Sequence, residues 1–251
     1  MLIAQISDTH ILSKFSELPE GSSRVENLRR CVADINQNSV DLVIHTGDTV
    51  HQGLAEEYSQ LREILSELSL PVLLVPGNRD HLNTLREHFN HFPYLPQTGE
   101  FLHYTLEDWP IRLVALDSIE KGERKGVFCK RRVEWLDKTL SEQPDRPTLI
   151  FLHHPPFDIE PHYVGGYRRQ EESDRLEELV SLHSQVKWTL CGHVHCFRQE
   201  KWAGTAAVTM PSVAVDLRKS VDEVIEQDPL YVIHKVSKDG RLHTQIKVVK
   251  K

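Results

Sequence analysis

Five short polar motifs, each ending or following a strand-like apolar run, constrain this chain more than any other feature. Asp8-Thr9-His10 comes after Leu2–Ser7, Gly47-Asp48 after Leu42–His45, and Gly77-Asn78-Arg79-Asp80 after Val72–Val75. His153-His154-Pro155 comes after Thr148–Leu152, and Gly192-His193-Val194-His195 after Val186–Cys191. Between the first three runs the apolar spacing becomes helical. Val25, Leu28, Val32 and Ile35 share one face over Val25–Asn38, and Tyr58, Leu61, Leu65 and Leu68 do so over Ala55–Leu68. Leu82–Phe89 reads as a short third helix. A β-α-β-α-β order requires right-handed crossovers and a parallel sheet covered by helices. Ligands of such sheets bind beyond the carboxyl ends of the strands, so motifs far apart in sequence should converge at one edge.

The second half is richer in strands. Leu102–Leu106 and Ile111–Leu116 read as an antiparallel pair, followed by a helix over Val133–Leu140. Pro155–Gln170 reads as a long loop, and long loops in compact domains are often functional. Glu171–His183 is helical. Phe197–Trp202, Thr205–Met210, Leu230–Val236 and Leu242–Val249 read as strands, with Asp239-Gly240 turning the last pair into a hairpin. There is no internal repeat and no Gly- or Ser-rich linker, so one domain over residues 1–251 is the simplest expectation.

The motif residues are carboxylates, imidazoles and an amide. A mixed nitrogen and oxygen donor set suits Mn, Fe or Zn better than Ca or a thiolate-bound metal. Two such ions about 3.5–4 Å apart clamp the oxygens of an in-line phosphoryl displacement. Cys191 and Cys196 flank the last motif, but they read as buried thiols because the other donors suffice. The chain carries 30 basic and 37 acidic side chains, a net charge of −7. Nucleic-acid binders usually carry a basic stripe, so nucleic acid is not the expected partner. A small phosphorylated ligand stays open, because a metal ion supplies local positive charge. Four cysteines are too few for a disulfide scaffold in a chain of this length, and a reducing cytoplasm is the expected compartment. No apolar run approaches the roughly 18–20 residues that cross a bilayer. The opening Leu2-Ile3-Ala4-Gln5-Ile6 reads as a strand rather than a signal peptide, so no membrane partner is expected.

Taken in order, Asp-x-His, Gly-Asp, Gly-Asn-x-Asp, His-His-Pro-Pro and Gly-His-x-His resemble the calcineurin-like metallophosphoesterase superfamily over nearly the whole chain. Ile6-Ser7-Asp8-Thr9-His10, Leu152-His153-His154-Pro155-Pro156-Phe157, Leu190-Cys191-Gly192-His193-Val194-His195 and Thr209-Met210-Pro211-Ser212 resemble class III cyclic nucleotide phosphodiesterases and the related glycerophosphodiester phosphodiesterases. The resemblance implies a four-layer α/β/β/α sandwich with two mixed central sheets. It implies two divalent cations, Mn and/or Fe first and Zn next. Asp8, His10, Asp48 and His195 would hold one, and Asp48, Asn78, His153 and His193 the other, with Asp48 bridging. The implied reaction is hydrolysis of a small phosphodiester by a metal-bridging hydroxide. A cyclic nucleotide (3′,5′-cyclic AMP or a 2′,3′-cyclic nucleotide) is the first expectation, and the resemblance is compatible with a homodimer.

One departure stands out. The family usually carries a histidine where this chain has Arg79. An arginine stays charged and cannot act as a general acid, but it can hold a phosphate bidentately and stabilise developing charge. Asn78 and Arg79 are therefore expected at the substrate. Leaving-group protonation falls to water, His51 or His81, or the substrate has little need of it, as a strained 2′,3′-cyclic phosphate would. His154 and Arg168 are further candidates for substrate contact, His154 also as a support beside His153. The alternatives are a glycerophosphodiester or other small-diester hydrolase, a nuclease of the same superfamily, and a silent scaffold that binds proteins.

Overall fold

The computed structural model describes residues 1–18, 20–161, 163–219 and 227–250. Along the chain lie β1 (Leu2–Ile6), α1 (Glu20–Gln37), β2 (Leu42–His45), α2 (Ala55–Leu65), β3 (Val72–Leu74), α3 (Leu82–His88), β4 (Tyr104–Leu106) and β5 (Arg112–Ala115). They are followed by α4 (Lys130–Ser141), β6 (Thr148–Phe151), α5 (Gln170–Leu182), β7 (Val186–Cys191), β8 (Arg198–Trp202), β9 (Thr205–Thr209), β10 (Leu230–Val236) and β11 (Leu242–Val248). The strands form two mixed sheets, ordered β11-β10-β1-β2-β3 and β4-β5-β6-β7-β9-β8. In the first, β1, β2 and β3 run parallel and the β10–β11 hairpin joins β1 antiparallel. In the second, β5, β6, β7 and β9 are parallel, with antiparallel β4 and β8 at its edges.

The layering follows from side-chain alternation along strands buried on both faces. Leu113, Ala115, Leu149 and Phe151 point into a core shared with β1, β2 and β3. Their neighbours Val114, Leu116, Ile150 and Leu152 point the other way, against Leu136 and Leu140 of α4 and Leu176, Leu179 and Val180 of α5. On the far side Leu28, Val32 and Ile35 of α1 and Tyr58, Leu61 and Ile64 of α2 cover the first sheet. The result is the expected α/β/β/α sandwich. Gln5 joins its two sheets near the loop end, donating to Thr46 Oγ1 on the β2 side and to the Cys191 carbonyl of β7, both at 3.0 Å.

Two helices start well upstream of where the apolar spacing begins, while α2 and α3 start at the expected residues. α1 begins at Glu20 rather than Val25, and α4 at Lys130 rather than Val133. Their first turns are polar, and the residues buried there are Arg24 and Arg132, each held by hydrogen bonds that hydrophobic periodicity does not register. α2 stops at Leu65, before the expected Leu68. The expected hairpin turn is present: Gly240 takes φ +80° and its N–H donates to Ser237 O at 3.0 Å.

Candidate metal centre

The loops that leave β1 and β2 run side by side. Asp8 N donates to Gly47 O, His10 N to Asp48 O and Ile11 N to Thr49 O, at 3.0, 3.0 and 3.2 Å. The loops after β6 and β7 are joined in the same way, with Gly192 N on His153 O at 3.0 Å. Six non-glycine residues among those described have positive φ, and five of them are Asp8 (52°), His10 (43°), Asp48 (49°), His193 (70°) and His195 (58°). Each such residue costs about 1–3 kcal/mol, and strain of this kind gathers at functional sites. Two glycines permit the approach of the loops. A Cβ on Gly77 would lie 2.1 Å from Asp48 N, and one on Gly192 2.1 Å from Ser7 Oγ.

The seven expected ligands meet at this edge in two adjoining sets. In one, His195 Nε2 lies 3.2 Å from Asp8 Oδ1 and 3.4 Å from His10 Nε2, which is 3.6 Å from Asp48 Oδ2. In the other, His153 Nε2 lies 3.4 Å from Asp48 Oδ1, 3.2 Å from Asn78 Oδ1 and 3.2 Å from His193 Nδ1. Asp48 therefore presents one carboxylate oxygen to each set.

The donor chemistry fits a cation. His153 Nδ1 donates to the Thr46 carbonyl at 2.8 Å and His195 Nδ1 to the Leu217 carbonyl at 2.9 Å. Each ring thus turns its Nε2 toward the oxygens of Asp48, Asn78 or Asp8. Facing lone pairs repel unless a positive charge lies between them, and backbone acceptors on the far nitrogen are the usual device for orienting metal-bound histidines. Burial pushes Asp48 up to about 7, with Asp8 and Asp80 adding to it against His153. Burial would raise Asp8 as well, but His195, His153 and His10 bring it below the usual carboxylate range. Burial holds His10 and His193 well below the ordinary imidazole value, hence neutral. Burial also opposes charge on His195, yet Asp8 overrides it and raises the group.

Hydrogen-bond partners of the ligands complete the frame. Asp8 accepts from Ser7 Oγ at 2.6 Å and His193 N at 3.0 Å, and its own carbonyl accepts from Ser212 Oγ at 2.6 Å. Asp48 Oδ1 accepts from Arg79 N at 2.7 Å. Asp80 is buried and accepts from Gly77 N (2.8 Å), Thr49 N (3.1 Å), Tyr58 OH (3.1 Å) and the Thr49 hydroxyl, so it shapes the turn that carries Asn78 and Arg79. Arg24 on α1, through Asp216, braces the loops of His10 and His195. No signal in the sequence marks Arg24, Asp216 or the carbonyls of Thr46 and Leu217, because each acts only across the fold.

The remaining candidates divide. Arg79 is exposed and its guanidinium makes no hydrogen bond or ion pair among the described residues. With Asn78 and His81 it lines a cavity of about 710 Å³ that also takes in Phe101, Lys121 and Arg131. His51 is half-buried, 5.6 Å from His10 ring to ring, and its Nδ1 lies 3.4 Å from Arg24 Nη1. Two expected substrate contacts are engaged within the protein. His154 is fully buried, with Nδ1 on Ser118 Oγ at 2.9 Å and Nε2 on the Arg124 carbonyl at 3.1 Å, so both ring nitrogens have partners. Arg168 is tied to Glu120 and Glu172, each at 2.9 Å, because two carboxylates of the surrounding loops and α5 capture it. Cys191 and Cys196 lie buried in separate apolar clusters, as read from the sequence.

Comparison with known proteins adds an independent line. The family model described as calcineurin-like phosphoesterase matches residues 1–197. A protein of Arcobacter nitrofigilis named "Probable glycerophosphodiester phosphodiesterase GpdQ" is 33% identical over 258 residues, covering 100% of this chain and 94% of that protein. The 3′,5′-cyclic adenosine monophosphate phosphodiesterase CpdA of Escherichia coli K12 is 27% identical over 86% of this chain and 77% of its own length. Among solved structures, a dimetal phosphatase of Danio rerio superposes with a TM-score of 0.68 at 15% identity, covering 100% of this chain and 99% of that one, which is a likeness of fold.

Proposed function

The chain belongs to the calcineurin-like phosphoesterase family, and from that premise we propose that this metal-dependent phosphodiester hydrolase acts on a small diester at the Asp48 centre, with a strained cyclic nucleotide as the preferred substrate. The observation that carries the reading is the pair of donor sets sharing one carboxylate beside an unpaired guanidinium. Two divalent cations bound there would supply Lewis acidity for the phosphoryl oxygens and lower the pKa of a water molecule. Mn and Fe suit the donors first and Zn next.

The protein's own part is positioning and charge. Asp8, His10, Asp48 and His195 would hold one cation, and Asp48, Asn78, His153 and His193 the other. Thr46 O and Leu217 O keep His153 and His195 in the tautomer that leaves Nε2 as a donor to metal. Arg79 meets the non-bridging phosphate oxygens with its planar fork and takes up the charge that builds there. It holds its protons throughout and delivers none to the leaving oxygen. That favours a substrate whose ring strain drives the departure. The organic part of the substrate has room in the cavity beyond Arg79. The four free cysteines support a reducing cytoplasm, and among the described residues no helix is long and apolar enough to cross a membrane.

A glycerophosphodiester is the second reading, favoured by the full-length similarity to the Arcobacter protein of that name. The experiment is a competition of 3′,5′-cyclic AMP, 2′,3′-cyclic AMP and a glycerophosphodiester in one Mn²⁺-supplemented reaction, followed by chromatography, with a chelated control. Selective loss of the 2′,3′ isomer is expected. Faster loss of the glycerophosphodiester would select the second reading, and no metal-dependent loss of any of the three would overturn both.

A further inference from the structure

Arg24 contacts no expected ligand side chain, yet it ties together the two chain segments that bring His10 and His195 face to face. Its side chain is 5% exposed. Nη2 meets Asp216 Oδ2 at 2.7 Å and Nε meets Asp216 Oδ1 at 3.2 Å. Nη1 donates to the His10 carbonyl at 3.3 Å and lies 3.4 Å from His51 Nδ1. Asp216 sits in the short 3₁₀ turn Val215–Leu217, whose Leu217 carbonyl orients the His195 ring. One planar fork therefore spans α1, the loop after β1 and the turn after β9.

His10 has particular need of this brace. His153 and His195 are each oriented by a carbonyl on Nδ1, whereas His10 Nδ1 is buried without a partner. Its ring direction rests on the main chain, held at the His10 carbonyl by Arg24, and on edge packing against His51.

We infer that the Arg24–Asp216 pair is the positioning device of the Asp8–His10–His195 set, and that the affinity of a divalent cation there depends on Arg24. The inference rests on the proposed role of those residues as metal ligands. Positioning and bare electrostatics predict opposite signs. Removing the Arg24 cation leaves Asp216 uncompensated, and charge alone would then attract a metal more strongly. Loss of the brace would weaken binding.

The test is calorimetric titration of the metal-depleted full chain with Mn²⁺, for wild type and Arg24→Gln, Arg24→Lys, Asp216→Asn, His195→Gln and Arg30→Gln. Arg30 makes a comparable ion pair from the same helix, with Asp228 at 2.8 Å, and serves as the control for general loss of stability. Wild type should bind two ions. Arg24→Gln should weaken one of them by roughly 10–100-fold, the size typical of groups that orient metal ligands, and leave the other unchanged. The weakened ion should be the one that His195→Gln weakens. Arg24→Lys, which keeps the charge but not the fork, should fall between, Asp216→Asn should weaken the same ion, and Arg30→Gln should match wild type. Unchanged or tighter binding in Arg24→Gln, or equal loss of both ions, would overturn the inference. If circular dichroism shows Arg24→Gln unfolded, Arg24→Lys carries the same comparison, because charge alone predicts no change there and loss of the fork predicts weaker binding. Wild type binding fewer than two ions would instead count against the metal reading itself.

Discussion

Asn78 and His153 are steadied from within the fold, whereas His10 and His195 depend on a helix that packs over it. His153 is fully buried at the end of β6, and its ring is fixed by a carbonyl just past β2. The turn bearing Asn78 is drawn in by the buried carboxylate of Asp80. His10 and His195 stand on loops with positive φ, and their alignment passes through the Leu217 turn and the Arg24–Asp216 ion pair. A ligand on a buried strand end takes its direction from neighbouring backbone. A ligand further along a loop needs a long side chain from elsewhere, which a single substitution can remove.

Substitutions of graded severity probe that contrast. Asp48→Ala strikes the carboxylate shared by both sets and should have the largest effect, a fall in kcat on the order of 10³-fold with loss of both ions, since several kcal/mol of charge stabilisation is removed. Survival of two ions in Asp48→Ala would break the symmetry argued for that residue. Arg79→Ala removes the group facing developing charge and should lower kcat by roughly 10²–10³-fold while metal content stays at wild type. Arg79→His should raise the rate on the unstrained 3′,5′ ring relative to the 2′,3′ ring, because an acid becomes available. An unchanged isomer ratio in Arg79→His would sink the argument from ring strain.

Asp80→Ala tests the inner half alone. It leaves Gly77 N, Thr49 N and Tyr58 OH without their acceptor, and should cost about 1–3 kcal/mol in urea unfolding of the metal-free protein. It should also weaken the ion held by Asn78, His153 and His193 more than the other. His154→Phe keeps the ring volume but abandons Ser118 Oγ and the Arg124 carbonyl, and should cost about 0.5–1.5 kcal/mol with less than a tenfold effect on kcat. A loss of substrate affinity in His154→Phe at constant metal content would restore it as a substrate contact.

The last test concerns acid stability away from the metal centre. His103 and His234 are buried far down the imidazole scale, to about 3. Both stay neutral in the fold and protonate near 6.5 when unfolded, so the unfolded state binds more protons between those values. Their contribution is complete above about 6.5 and is lost as pH falls toward 3. The urea midpoint of the metal-free protein should therefore drop between pH 7.5 and 5, and His234→Gln should flatten the drop. An equal slope in wild type and His234→Gln would exclude a part for that residue.

Much of the centre was legible because its residues cluster in short motifs. Asp8, His10, Asp48, Asn78, His153, His193 and His195 all lie within a few residues of apolar runs long enough to announce buried strands, and all of them meet. β7 and β10 occupy the residues that alternation and β-branching indicate. What stayed hidden has a common cause. The polar first turn of α1 carries no periodic signal, so the apolar spacing begins at Val25 and leaves Arg24 outside the helix it belongs to. Arg168 and His154 carry the chemistry of substrate contacts, but Glu120, Glu172, Ser118 and the Arg124 carbonyl reach them first.

The amino-acid order by itself determined which side chains could serve as ligands, that they follow strands, and that the fold alternates strand and helix, since propensity, periodicity and donor chemistry are local properties. Tertiary structure alone decided which carboxylate oxygen faces which imidazole, which nitrogen of each ring carries the proton, and which basic residues remain free for an anion. Those outcomes depend on contacts between segments as far apart as Arg24 and Asp216, and hydrogen-bond direction is settled only when both partners are in place.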